Sequence, residues 1–86
     1  AGSVVQNGVR LGDDVVVNTG TVIDHGNVAG SGSWISPGVT ICAEVTMGRD
    51  CYVGAGATII QNISIEEGTL VHAGKTIIEN IGIMPD

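Results

Sequence analysis

Aromatic residues are almost missing from this sequence. Phe is absent, and Trp34 and Tyr52 stand alone among 86 residues. A conventional globular core built around large rings is therefore excluded. Positive charge is equally scarce. Arg10, Arg49 and Lys75 face nine acidic residues, for a net charge of −6. Nucleic-acid binding needs a basic surface to neutralise phosphates, and a polybasic membrane contact needs the same. Neither is available. Two cysteines are too few for a disulfide framework, which points to a reducing, cytoplasmic setting. No apolar run is long enough to span a bilayer, and no signal peptide is visible.

What the chain does have is glycine, 14 residues of it, and small aliphatics in a strict rhythm. Every sixth residue from Val5 is apolar. The series runs through Leu11, Val17, Ile23, Ala29, Ile35, Ile41, Met47, Val53, Ile59, Ile65, Val71 and Ile77 to Ile83. Three places after each comes a turn residue, most often Gly, otherwise Asp14, Asp50, Asn62, Asn80 or Glu44. Gly, Asp and Asn tolerate positive φ. A helix interrupted by Gly at every sixth place would be weakened throughout. A short strand followed by a tight corner suits the pattern. Within each strand the side chains alternate, so the apolar residue and the small one two places before it point inward.

Three such strands close a triangular coil of eighteen residues, and successive coils stack as parallel strands about 4.8 Å apart. The expected fold is an all-β, single-stranded parallel β-helix of about four coils over residues 4–83. Residues 1–3 read as a cloning remnant and 84–86 as a tail. The phase assigns each outward residue to one of three faces. The first carries Val22, Thr40, Thr58 and Thr76; the second, Arg10, Val28, Thr46 and Ser64; the third, Val16, Trp34, Tyr52 and Leu70. The third face gathers both aromatics. Such contiguous apolar surface marks a subunit contact, and a trimer is the natural closure for a three-sided prism.

Few residues carry chemistry. His25 falls in the corner between the first and second faces, in a column with Asn7, Ala43, Gln61 and Glu79. Ala43, one coil on, leaves room beside its ring. Histidine suits proton abstraction because neutral imidazole is available near pH 7. Asp24 precedes it and is placed to orient the ring. His72 lies at a different corner, above Ser36 and Gly54, and reads as structural. Cys51 is inward and reads as core. Cys42 sits at a corner near Glu44, which opposes thiolate formation. Two histidines make no metal constellation, and no metal is expected. Asn27 and Lys75 break the inward apolar rule. Asn27 is expected either to bond to another polar group or to ladder with backbone, and Lys75 to lead its ammonium out of the last complete coil. Asp13, Asp14, Asp50, Glu66 and Glu67 make a solvated acidic edge with Arg49.

The strings Val17-Asn18-Thr19-Gly20-Thr21-Val22-Ile23-Asp24-His25, Trp34-Ile35-Ser36-Pro37-Gly38 and Val53-Gly54-Ala55-Gly56-Ala57-Thr58-Ile59-Ile60 carry a resemblance. They are similar to hexapeptide-repeat acyltransferases, in particular sugar acetyltransferases that act on sialic-acid hydroxyls or on the bacillosamine amine. The resemblance covers about Val5 to Ile81. It implies the left hand of the winding, against the usual crossover rule, and a homotrimer with active sites between prisms. It also implies acetyl-CoA as donor, its pantetheine arm lying along the coils. His25 matches the family's general base and Asn18 its acceptor-binding asparagine. Trp34, Ala43, Ala55 and Gln61 match positions touching the donor arm. Trp34 stands where the family has a second histidine, and Gly26 follows His25 where a carboxylate is common. The nucleotide-sugar-binding βαβ domain of the family is not in this sequence.

Three functions follow for testing. One is acetyl transfer to a hydroxyl or amine of a sugar-like small molecule. A second is a non-catalytic assembly module. The third, ice binding by the Thr40–Thr58–Thr76 column, lacks a parallel second column.

Overall fold

The computed structural model describes residues 2–80. Ile83 and the tail at 84–86 lie outside the described residues. Among those described, every regular element is a two-residue strand. In chain order they are β1 (Val4–Val5), β2 (Arg10–Leu11), β3 (Val16–Val17), β4 (Val22–Ile23), β5 (Val28–Ala29), β6 (Trp34–Ile35), β7 (Thr40–Ile41), β8 (Thr46–Met47), β9 (Tyr52–Val53), β10 (Thr58–Ile59), β11 (Ser64–Ile65), β12 (Leu70–Val71) and β13 (Thr76–Ile77). They form three parallel sheets. Face A is β1-β4-β7-β10-β13, face B is β2-β5-β8-β11 and face C is β3-β6-β9-β12. The chain is a left-handed parallel β-helix of about four coils.

Register follows the repeat without a slip. Val22 pairs with Thr40, Thr40 with Thr58 and Thr58 with Thr76 on face A, while Trp34 pairs with Tyr52 and Tyr52 with Leu70 on face C. Each strand leads with an outward residue and follows with an inward one. Ile23, Ile35, Ile41, Val53, Ile59 and Val71 are fully buried by this alternation. Val39, Val45 and Ala57, two places before an inward strand residue, complete the core. Val5 and Leu11 have a neighbouring coil on one side and stay about half exposed.

The corners explain the turn residues. Asp14, Glu44, Asp50 and Asn62 all hold φ near +60°, and the glycines of the same column lie between +72° and +78°. A residue with φ > 0 reverses the chain sharply enough to begin the next face. Gly2 has φ +74°, in phase with Gly8, and the Ser3 hydroxyl donates to the Asn18 carbonyl. Turn amides bond between coils as strand amides do. Glu44 N donates to His25 O at 3.1 Å, and Asn62 N to Ala43 O at 3.1 Å.

Inward polar residues follow a rule of their own. Thr21 Oγ1 donates to Ser36 O at 2.8 Å, Ser33 Oγ to Gly48 O at 3.1 Å and Cys51 Sγ to Glu66 O at 3.3 Å. Each reaches the first corner carbonyl of the following coil, fifteen residues on. Among the described residues no buried side-chain nitrogen or oxygen lacks a partner. Cys51 is core, and its burial pushes the thiol above the usual range. No helix among the described residues is long and apolar enough to cross a membrane.

Candidate functional site

The corner after face A carries Asp24, His25 and Gly26. Asp24 Oδ1 accepts two bonds from its neighbour, from His25 N at 2.7 Å and from His25 Nδ1 at 3.0 Å. The backbone bond chiefly holds the Asp24 carboxyl below the usual range, and the side-chain bond adds to it. With Nδ1 donating to the carboxylate, Nε2 carries the lone pair. The imidazole is 63% exposed, so Nε2 is open to an incoming molecule. The backbone of the corner is anchored on the far side, where His25 O accepts from Glu44 N.

Behind the corner lies Asn27, 3% exposed. Its Nδ2 donates to Asp24 O at 2.6 Å and to Cys42 O at 2.9 Å, and its Oδ1 accepts from Val45 N at 2.8 Å. The amide thus braces the His25 corner against the corner one coil on. The matching positions hold Val9, Val45 and Ile63, so Asn27 is the one amide in its column. Replacing Asn27 with Val is expected to lose about 2 kcal/mol, from backbone groups left without partners. A denaturant melt checks it; an unchanged midpoint would show that water substitutes freely for the amide.

A second feature lies along face C and the corner after it. A groove of about 500 Å³ runs there, lined by both aromatics, by corner residues of each coil from Asn18 to Ala73, and by Leu70. Trp34 and Tyr52 form one wall, 43% and 47% exposed. Asn18 Nδ2 donates to Ile35 O at 3.0 Å. Ser36 and Gly54 line the middle, where a glycine is compulsory. A Cβ at Gly54 would meet Ala73 N at 2.5 Å.

The site residues expected from the sequence therefore divide. Asn18, Trp34 and Ala55 share the groove. Asp24, His25, Ala43 and Gln61 share the corner on the other side of face A. Thr21 and strand β4 separate the two groups within one prism. His72 lines the groove at its far end, on the same corner as Asn18, Ser36 and Gly54. The six-residue phase gives this column, but only the shape of the groove shows that the column has an open side. Among the described residues no three His, Cys, Asp or Glu side chains gather as a metal site would.

Charge is divided the same way. The corner after face B holds Asp13, Asp14, Arg49, Asp50, Glu66 and Glu67. The corner after face C, and the outward residues of faces A and C, contain no Asp, Glu, Lys or Arg among the described residues. One side of the prism is thus acidic and the other uncharged.

Comparison with known proteins agrees with this architecture. Residues 30–61 match the family described as bacterial transferase hexapeptide (six repeats), and residues 1–25 match the hexapeptide repeat of succinyl-transferase. No curated protein matches the chain. Among solved structures, it is similar to an alanine mutant of GDP-perosamine N-acetyl transferase from Caulobacter crescentus in complex with CoA and GDP-perosamine. The identity is 25% and the TM-score 0.64, over 91% of this chain and 46% of that one. PerB from Caulobacter crescentus, also in complex with CoA and GDP-perosamine, matches with 25% identity and a TM-score of 0.61 over the same shares. The chain spans about half the length of these structures. By its repeat, its coils and these matches, the chain is similar to the hexapeptide-repeat transferases, and its β-helix is similar to that portion of a sugar N-acetyltransferase.

Proposed function

We propose that the protein is an acetyl-CoA-dependent acetyltransferase acting on an amine or hydroxyl of a sugar-like acceptor, assembled as a homotrimer. The observation that carries this reading is the Asp24–His25 pair, with Nδ1 held at 3.0 Å and Nε2 exposed. The CoA bound to both similar structures supports the donor.

The division of the site supports the trimer. In a heterologous ring each copy offers one surface to the next copy and a different one to the previous. The His25 corner of one prism then meets the groove of its neighbour, and Asn18, Trp34 and Ala55 join Asp24, His25, Ala43 and Gln61. The exposed apolar ladder Val16–Trp34–Tyr52–Leu70 is the surface such a contact would cover.

His25 Nε2 takes the proton from the acceptor amine or hydroxyl as its heteroatom attacks the thioester carbonyl. The new C–N or C–O bond forms and the carbonyl becomes an oxyanion, which backbone N–H groups of the Gly-rich corners would stabilise. Its collapse breaks the C–S bond. The imidazolium returns the proton to the leaving thiolate, and free CoA results. Asp24 keeps the ring in one tautomer and supports its charge in between.

Light scattering with acetyl-CoA titration tests the assembly and the donor together. A trimer with micromolar to millimolar affinity is expected. No binding at millimolar donor would sink the enzyme reading and leave a non-catalytic assembly module in its place. Trp34→Glu is expected to yield monomers, since a buried aromatic contact of this kind contributes about 2 kcal/mol or more and a charge there repels. A Trp34→Glu protein that remains trimeric would remove face C from the interface.

A further inference from the structure

We propose that Asn27 is a positioning residue for His25: its hold on the Asp24 carbonyl fixes the Asp24–His25 peptide and, through it, the tautomer that leaves Nε2 free to take a proton. This rests on the reading of His25 as the base and adds a buried residue to it.

Three observations lead to Asn27. The first is the direction of its amide. Two carbonyls, Asp24 O at 2.6 Å and Cys42 O at 2.9 Å, require its NH2, and Val45 N at 2.8 Å requires its oxygen. Only one orientation meets all three.

The second is comparison within the chain. Ser33 holds the equivalent place at the following corner. Its hydroxyl donates to Gly48 O at 3.1 Å and accepts from Cys51 N at 3.2 Å, fifteen and eighteen residues on. Cys42 O and Val45 N stand at the same offsets from Asn27. Two of the Asn27 bonds are therefore ordinary ties between coils, which a hydroxyl can make. The third is different. At the corners before Thr21, Ser33, Ala57 and Lys75 the first corner carbonyl accepts from the turn's own backbone amide, at 3.2 to 3.3 Å. At the His25 corner the Asn27 side chain takes that carbonyl, at 2.6 Å. The Thr69 hydroxyl also reaches the near carbonyl of its corner, but a hydroxyl has one proton, and Asn27 serves both carbonyls at once.

The third is the line of bonds from Asn27 to the ring. A peptide unit is planar, so fixing its oxygen fixes the direction of its N–H. The unit between Asp24 and His25 has its oxygen on Asn27 and its N–H on Asp24 Oδ1, 2.7 Å away. The same Oδ1 accepts from His25 Nδ1 at 3.0 Å. The Asp24 and His25 side chains are 50% and 63% exposed, while Asn27 is buried. Water competes for the exposed members, and the buried amide gives the pair its fixed direction.

The test reads the tautomer directly, by nitrogen NMR of the imidazoles in the full chain at about pH 8, where a free imidazole is neutral. His25 and His72 are the two histidines, and His72, on another corner, is the internal control. The variant is Asn27→Ser, which keeps the two ties between coils in the manner of Ser33 and gives up the bond to Asp24 O. A thermal melt verifies its fold. In the unsubstituted protein the His25 proton is expected on Nδ1. In Asn27→Ser the ratio of Nδ1–H to Nε2–H at His25 is expected to fall about fivefold, the population equivalent of one hydrogen bond, with His72 unchanged. Asp24→Ala, which removes the acceptor itself, sets the lower limit of the ratio. An unchanged His25 ratio in a folded Asn27→Ser protein overturns the proposal and leaves the amide a structural tie. So does an equal shift at His72, which would mean a general loosening of the coils. If Asn27→Ser unfolds, Asn27→Thr carries the same test, since Thr21 is fully buried at such a place. Loss of the fold in both variants overturns the proposal too. A proton on Nε2 of His25 in the unsubstituted protein overturns the reading of His25 as the base, a result distinct from any effect at position 27.

Discussion

Replacing Gly30 with Ala is expected to lower the melting temperature by more than about 10 °C. A Cβ at Gly30 would lie 2.5 Å from Gly48 C, 2.6 Å from Arg49 N and 2.7 Å from Gly48 O. All three are backbone atoms of the next coil, so no side chain can swing aside. Relief requires the two coils to part at that corner. Parting stretches the bonds from Gly30 N to Met47 O and from Asp50 N to Ser31 O, both 2.9 Å. Overpacking of this kind costs about 3 kcal/mol where the backbone cannot relax. Gly56→Ala is the control. Its φ of +72° strains an alanine, at about 1 kcal/mol, but no atom lies within 4 Å of the added carbon. Circular-dichroism melts of both variants decide the matter. Equal midpoints would mean that the coils are not held at the spacing described.

Replacing His25 with Ala is expected to lower kcat by about 10²- to 10⁴-fold, the contribution of a well-placed general base. The acetyl-CoA affinity and the melting temperature should barely move, because the ring is mostly exposed. Asp24→Asn should retain the fold and lose a smaller share of turnover, since it removes the acceptor that holds Nδ1. The pH dependence has a defined sign. The Asp24 carboxyl is held below its usual range by the His25 bonds, so its contribution is complete above the ordinary carboxylate value. It is lost as pH falls through the lowered value. Single-turnover kinetics would separate these effects from binding. A His25→Ala protein with unaltered turnover would move the chemistry elsewhere.

The six-residue phase accounts for most of what the sequence made legible. It placed Ile23 and Ile35 inside, Trp34 and Tyr52 outside, and Asp14 and Gly20 in corners, because a two-residue strand and a left-handed corner leave no freedom between them. The core character of Cys51 came from the same count. What the phase does not carry is contact between coils. The phase leaves open whether Asn27 meets another polar group or backbone; its three partners are backbone atoms at two different corners, at distances set by the stacking. The groove is likewise a product of neighbouring coils: Gly54 lets the corner at Ala73 stack closely, while Trp34, Tyr52 and Leu70 line its face C side. His72 reads as an isolated corner residue in one dimension and as the end of a trough in three. The left hand follows from the resemblance and not from the phase, since a period of six is compatible with either winding.

The constant offset of eighteen residues between paired strands makes the chain a ruler. Position along the prism can change only in whole coils. Duplicating residues 37–54 would preserve every face and corner assignment while carrying His72 and Lys75 one graduation, about 4.8 Å, farther from His25. On the acetyl-transfer reading proposed above, the reach between the two corners would thus be set by counting coils, with the His25 corner itself unchanged.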